Sequence, residues 1–350
     1  MESIKVSVII TTYGGDWKLI RAITSVLEQD YQNFEIIVVD DNQPESKGRI
    51  QTEYYIREFA NEKKVRYIKH EFNKNGAAAR NTGIREAQGD FIAFLDDDDY
   101  YLKDRLSASL RYLENNPTCD GVCASVMKLK SGSIAGLVKN DGVSYLTPRD
   151  LIINQNILGT GSNIFVRRSS IEAIDGFDER FERFQDVEFM IRFCEKYKVG
   201  FLDKILMVKD IAGYRVPSYE KIKISLKMFC DKFKKEIESL NDSDRKEFWE
   251  DRYSYLFSLA MQGKDKNAVK ESAVNLGKIR MLTSKEKKCV RFFEIIKLVI
   301  QLRKQVAEKD MYIVKLYREK KNNKKYKDII LALKDNEQIN KAYYYRYIDQ

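Results

Sequence analysis

Short apolar runs alternate with segments whose apolar residues recur at helical spacing through the first part of this chain. Residues 5–11 (KVSVIIT), 34–39 (FEIIVV), 65–69 and 91–95 (FIAFL) are strand-like; 34–39 reads as buried, and 91–95 is apolar on both faces, as expected of a strand covered by helices on either side. Between the first two, a Tyr13-Gly14-Gly15-Asp16 turn precedes Leu19, Ile20, Ile23, Val26 and Leu27, which share one helical face. A second helix is expected in the fifties and a third over the Ala-rich residues 76–87. This β-α-β-α order predicts an α/β domain with a mostly parallel, Rossmann-like sheet flanked by helices. A strand is also expected over residues 163–166, after a glycine-containing turn at 159–162. Beyond Tyr219 only helical periodicity remains, over 222–237, over 242–262, and in a helix opened by the capping box Thr283-Ser284-Lys285-Glu286. There Arg291, Glu294, Lys297, Gln301 and Lys304 form one narrow polar stripe, so most of that helix should be covered. The pattern divides the chain into an α/β region, 1–218, and an α-helical C-terminal region, 219–350.

Chemistry enters where strands end. The run at 91–95 passes straight into Asp96, Asp97, Asp98 and Asp99. One or two acids there would complement the dipole of a following helix. Four like charges at the rim of a buried sheet cost free energy unless a cation neutralises them, and an oxygen-rich cluster suits Mg²⁺ or Mn²⁺. Ligands in parallel sheets bind beyond the carboxyl ends of the strands. That rule brings Thr12-Tyr13, Asp40-Asp41 and the aspartate run to one edge. Farther on, Val187, Met190, Ile191 and Cys194 are helix-spaced, which puts Asp186 at a helix start.

Composition removes several alternatives. No GxGxxG follows the first strand and no GxxxxGK[ST] occurs, so neither a dinucleotide fold nor a P-loop is supported. The five cysteines are scattered without a CxxC, which predicts free thiols and a reducing, cytoplasmic setting. No N-terminal signal segment and no membrane-length apolar stretch is recognisable. Residues 281–350 hold 18 Lys and Arg against 9 Asp and Glu, which is the entire formal net charge of +9. This basic tail, with Lys320–Lys327 and the tyrosines at 343–347, is a candidate for peripheral contact with the inner face of the membrane or for self-association. It contains no recognisable nucleic-acid module, and no nucleic acid is expected.

The ordered blocks KVSVIITTYGG, FEIIVVDDNQ, NKNGAAARNTGI, GDFIAFLDDDD and GFDERF with its following Gln-Asp pair resemble family 2 glycosyltransferases of the GT-A fold, over residues 4–215. The resemblance implies a metal-dependent, inverting transferase that moves a sugar from a nucleotide diphosphate sugar, normally UDP-linked, to a glycan or lipid-linked acceptor of the cell envelope. It implies that Thr12 and Tyr13 pack against the base, Asp41 hydrogen-bonds it, and Arg80 lies near the nucleotide. Asp96-Asp97-Asp98 matches the DXD motif, with Asp96 and Asp97 near the nucleotide and Asp98 and Asp96 on the metal. Because four aspartates run together the register is not unique, and Asp99 is an alternative ligand. Asp186 matches the general base. Two departures stand out: Gln185 replaces the usual glutamate before the base, and no histidine follows Tyr214-Arg215. The lone histidine, His70, reads as structural. These departures keep open a catalytically weak binding or scaffold protein, and the metal cluster alone would also suit a nucleotidyl-transfer enzyme.

Overall fold

The computed structural model describes residues 6–139, 142–213 and 216–290. Met1–Met281 form one compact unit and Leu282–Gln350 a second.

The first unit begins with three β-α repeats: β1 (Val6–Thr12), α1 (Lys18–Leu27), β2 (Phe34–Asp40), α2 (Lys47–Ile56), β3 (Val65–Lys69) and α3 (Gly76–Glu86). β4 (Phe91–Asp96) then runs beside β1, giving the parallel order β3-β2-β1-β4. Alternate residues of these strands serve two cores. Val6, Val8 and Ile10 of β1 face one with Leu19, Ala22, Ile23 and Val26 of α1, whereas Ile9 faces the other with Ile37, Val39, Ile92 and Phe94. α3 lies on β1 at Gly83, where an added Cβ would come within 2.3 Å of Ile9 Cγ2. Glycine is the side chain that permits this approach.

The second half of the sheet is mixed. After β5 (Tyr100–Tyr101) and α4 (Arg105–Asn115) come β6 (Gly121–Lys130), β7 (Ser133–Val138), β8 (Tyr145–Leu146), α5 (Pro148–Ile153), β9 (Phe165–Arg167), α6 (Arg168–Glu172), α7 (Gln185–Lys196) and β10 (Val199–Asp210). β9 inserts antiparallel between β4 and β6, and β10 runs parallel to β6 with β5 antiparallel on its other side. The parallel half is therefore what β-α repetition encodes; the β6–β7 hairpin is an antiparallel join of consecutive strands, whereas β4–β9, β6–β9 and β5–β10 pair strands that have helices between them in the chain. Residues expected to begin a strand at Asn163 instead close a 3₁₀ turn. The Asn163 side chain donates to Ala124 O (2.8 Å) and Leu158 O (3.0 Å) and accepts from Ala124 N (2.9 Å), which pins the turn to β6.

α8 (Tyr219–Lys232), α9 (Lys234–Ser239), α10 (Asp242–Gln262) and α11 (Lys266–Ile279) belong to the same unit. The single helix expected over 222–237 is two, because Phe233 leaves helical geometry (φ −103°, ψ 30°) while Phe229, Phe233 and Ile237 all bury in one core. Among the described residues no helix is long and apolar enough to cross a membrane, and all five cysteines are free.

In the second unit, Thr283 N–H donates to Glu286 Oε2 (2.7 Å) and Glu286 N–H to Thr283 Oγ1 (3.2 Å), the reciprocal bonds of the expected capping box. The polar stripe and the Lys- and Tyr-rich segments lie outside the described residues.

Candidate functional site

The acids at the end of β4 separate into two sets. One carboxylate oxygen from each of Asp96, Asp98 and Asp99 lies within 4.8 Å of the others. Asp97 is not in that group: its Oδ2 accepts from Thr12 Oγ1 (2.5 Å) and Tyr13 N (3.3 Å), closing β4 against β1. Loss of solvent pushes the Asp97 carboxyl up to about 8; the Thr12 hydroxyl bond opposes this, while Asp98 and Asp96 add repulsion. Asp98 and Asp99 are raised too, first by burial and then by neighbouring acids, against the pull of Lys209. The cluster thus holds more negative charge than its surroundings compensate. Three oxygen donors with that excess fit a hard divalent cation that would keep other positions for diphosphate oxygens or water.

The turn at 159–162, which carried no functional reading in the sequence, supports this cluster. Ser162 Oγ donates to Asp99 Oδ2 (2.7 Å), and Thr160 Oγ1 lies 3.1 Å from the same oxygen. The backbone N–H of Asp210, at the end of β10, donates to Asp99 Oδ1 (3.3 Å). Asp99 is thereby buried and largely committed to the protein, which leaves Asp96 and Asp98 as the freer carboxylates. Sequence reasoning also missed the basic groups beside the acids. Arg21 donates to Asp98 O (2.7 Å) and Asp210 Oδ2 (3.0 Å), and Lys18 lies 3.4 Å from Asp210. No spacing marks them, because β10 reaches this rim from far along the chain.

Arg80 of α3 is the connector. Its Nη2 donates to Asp96 Oδ1 (2.7 Å) and its Nη1 to Gln185 Oε1 (2.9 Å), so one guanidinium joins the acid cluster to the start of α7. Asp186 sits in the first turn of α7, where its Oδ1 accepts from Val187 N (3.0 Å). No cation pairs with it among the described residues. A Cβ on Gly161 would lie 3.3 Å from Arg80 Nη2 and 3.5 Å from Asp186 Cβ, so glycine keeps this passage open.

Of the residues expected at a nucleotide base, Tyr13 is 62% exposed at the rim, whereas Thr12 is buried with its hydroxyl on Asp97. Asp41 is placed at the rim but occupied. Its Oδ1 accepts from His70 Nδ1 (2.8 Å) and Lys74 N (2.8 Å), its Oδ2 from Asn73 Nδ2 (2.8 Å) and Asn75 N (2.9 Å). Four donors fill the acceptor sites of one carboxylate. His70 is buried between Asp41 and Thr82 Oγ1 (2.9 Å), the structural role read for it. Its Nδ1 carries the proton toward Asp41, which makes Nε2 the acceptor from Thr82 in the neutral ring. Beside it, Asp40 takes Arg49 (2.9 Å) and Tyr67 (2.5 Å) and is a structural acid. Tyr214 and Arg215 lie outside the described residues.

Known proteins resemble this chain in both sequence and fold. The family model described as "Glycosyl transferase family 2" matches residues 7–205. The amylovoran biosynthesis glycosyltransferase AmsB of Erwinia amylovora is 29% identical over 225 residues, covering 62% of this chain and 71% of that protein. The Escherichia coli UDP-Glc:alpha-D-GlcNAc-diphosphoundecaprenol beta-1,3-glucosyltransferase WfgD is 28% identical over 180 residues, 48% of this chain and 67% of that protein. An uncharacterized glycosyltransferase of Rickettsia felis is 40% identical over 116 residues, but this chain spans only 18% of its length. Among solved structures, S. aureus TarS 1–349 in complex with UDP-GlcNAc superposes with a TM-score of 0.54 at 18% identity, covering 78% of this chain and 82% of that one. That likeness supports the GT-A-type α/β fold followed by helices. With a family match running from β1 into β10, across the rim that carries the acid cluster, Arg80 and Asp186, the chain belongs to glycosyl transferase family 2.

Proposed function

We propose that this glycosyltransferase takes a sugar from a nucleotide diphosphate sugar, UDP-linked as in the complex of its structural relative, and places it with inversion on a hydroxyl of a glycan or lipid-linked glycan. The observation that carries this reading is the arrangement at one rim: three clustered carboxylates, a guanidinium bridging from them to α7, and a carboxylate at the start of that helix with no cation of its own among the described residues.

In this reading Asp186 takes the proton of the acceptor hydroxyl as it attacks the sugar. A single base is sufficient for a direct displacement, and the outcome is inversion. Arg80 lies where the diphosphate departs and offsets its developing charge, and the exposed Tyr13 ring offers a face to the base. Asp96 and Asp98, with Asp99 behind them, would hold Mg²⁺ or Mn²⁺. Such a cation would act as a Lewis acid toward the leaving diphosphate. Asp97 and Asp41 shape the nucleotide side indirectly, through the Thr12 and 70–75 segments they bind. Residues 281–350 are proposed to hold the enzyme at an anionic membrane surface or to join copies of it. Vesicle binding that persists after their deletion would remove the membrane role.

A panel of nucleotide sugars with Mn²⁺ and Mg²⁺, read by release of nucleoside diphosphate, tests the assignment. Asp186→Asn should lower turnover by about 10²–10⁴-fold, the usual contribution of a general base. Unchanged transfer in that variant would discard the base, and release of pyrophosphate instead would mark a nucleotidyl transferase.

A further inference from the structure

The β6–β7 hairpin, α5 and the start of α10 enclose a cleft of about 400 Å³. Its polar walls include Lys128, Lys139, Arg149, Asp150, Asn156 and Asp244. Most of the charge there is already matched. Arg149 donates to Asp244 Oδ2 through Nε (2.8 Å) and Nη2 (2.6 Å) and lies 3.6 Å from Asp150. Glu247 is the one wall acid with no cation among the described residues.

Lys128 is different. It is half-buried, and among the described residues no carboxylate or carbonyl receives its ammonium. Its register partner on the neighbouring strand is another lysine, Lys209 of β10. Like charges at adjacent positions of paired strands are destabilising, and nothing in the sheet pattern requires them here. Lys209 donates to Gly159 O (3.2 Å) and acts electrostatically on Asp98 and Asp99, so it is engaged from the side of the acid cluster. Burial and Lys209 together press Lys128 toward its neutral form. A line of charge therefore runs from the aspartates through Lys209 to Lys128 and ends, uncompensated, at the mouth of a polar cleft. Lys139, exposed on the same wall, adds a second cation with no acid partner among the described residues.

We propose that Lys128, backed by Lys209, anchors a phosphate group carried by the acceptor, and that the cleft holds the acceptor's sugar hydroxyls beside it. A phosphate there removes the Lys128–Lys209 repulsion, and lysine serves as a point-charge partner for such an anion. The Asn and acid groups on the walls suit hydroxyls rather than a hydrocarbon chain. The acceptor class is a phosphate-bearing glycan. This rests on the transferase reading above and assigns it the second substrate's charge.

Inorganic phosphate is the probe, titrated calorimetrically at fixed ionic strength into full-length protein saturated with UDP and Mg²⁺. Phosphate should bind the wild type, Lys128→Gln should weaken it by about tenfold, and Lys128→Arg should retain it, as expected for one charge-assisted contact. Equal phosphate affinity in wild type and Lys128→Gln would overturn the proposal. So would phosphate that binds only when UDP is absent, because the donor's own phosphates would then be the anion concerned. A separate UDP titration keeps the two readings apart. If the wild type binds no UDP, the proposed function fails, and the same phosphate series without UDP still decides the lysine pair.

Discussion

Asp41→Asn asks whether this acid touches the nucleotide or holds the rim that does. The wild-type carboxylate receives two donors on each oxygen, from His70, Asn73, Lys74 and Asn75. An amide of the same shape accepts at one oxygen and turns N–H groups toward the other two donors, so two bonds, at least one of them part-buried, are lost whichever way it sits. Leaving a buried donor unpaired costs about 1–3 kcal/mol, so the 70–75 segment should lose about 2–6 kcal/mol of local stability. At the lower figure, amide exchange at Lys74 and Asn75 speeds up by about thirtyfold if the loss appears as local opening. Hydrogen-exchange mass spectrometry of the peptide spanning α3's entry measures this, with UDP affinity taken in parallel. Faster exchange with a parallel loss of UDP binding is expected, since Asn75 also caps α3, which carries Arg80. If exchange is unchanged within about twofold while UDP affinity collapses, the reasoning fails and Asp41 contacts the base directly, as the family resemblance implies.

Three further outcomes follow from the same geometry. Gly83→Ala gains about 1 kcal/mol of helix propensity but must fit a methyl 2.3 Å from Ile9 Cγ2, and overpacking of about 1–3 kcal/mol should win, visible as a lower urea midpoint. Asp97, Asp98 and Asp99 have folded-state pKa values raised above their unfolded ones, so the native state binds protons more tightly and is favoured at low pH. Metal-free protein should lose Tm as pH rises from the unperturbed carboxyl value near 3.8 through about 8, and Mn²⁺ should flatten that slope; a metal-independent profile would count against these acids as ligands. Ser162→Ala removes the 2.7 Å bond to Asp99 and should cost about 1 kcal/mol, with weaker Mn²⁺ binding by calorimetry; unaltered Mn²⁺ affinity would show that Asp99 needs no such support.

Much of this rim was legible because its signals are local. The strand run 91–95 carries its burial on both faces, and acids at strand ends need only the parallel-sheet rule to be gathered. The separation of Asp97 from Asp96, Asp98 and Asp99 was not legible, since it depends on a tight turn in which Asp99 N–H meets Asp96 O (3.1 Å). Nor were Thr160 and Ser162, whose hydroxyls matter through partners more than sixty positions away. Arg49 was equally silent. It is buried and donates to Asn42 O (2.6 Å) and His70 O (2.8 Å), tying β2 to the segment after β3, yet in the sequence it is one more polar residue in a weakly patterned helix.

Gln185 shows how such a departure can be read physically. Replacing the glutamate that the family resemblance implies beside the proposed base invites the view that the site is a remnant. Here, however, both ends of the amide are bonded: Oε1 accepts from Arg80 Nη1 (2.9 Å), and Nε2 donates to Phe181 O (2.8 Å). An ionised glutamate could accept from Arg80 but would face the Phe181 carbonyl with a second acceptor, an unfavourable contact in a part-buried position. With a neutral partner at Nη1, Arg80 has one carboxylate among the described residues, Asp96, and the rest of its charge remains for an incoming anion. The glutamine therefore suits a site in which Arg80 meets the diphosphate, and it gives no physical ground for treating the centre as inactive.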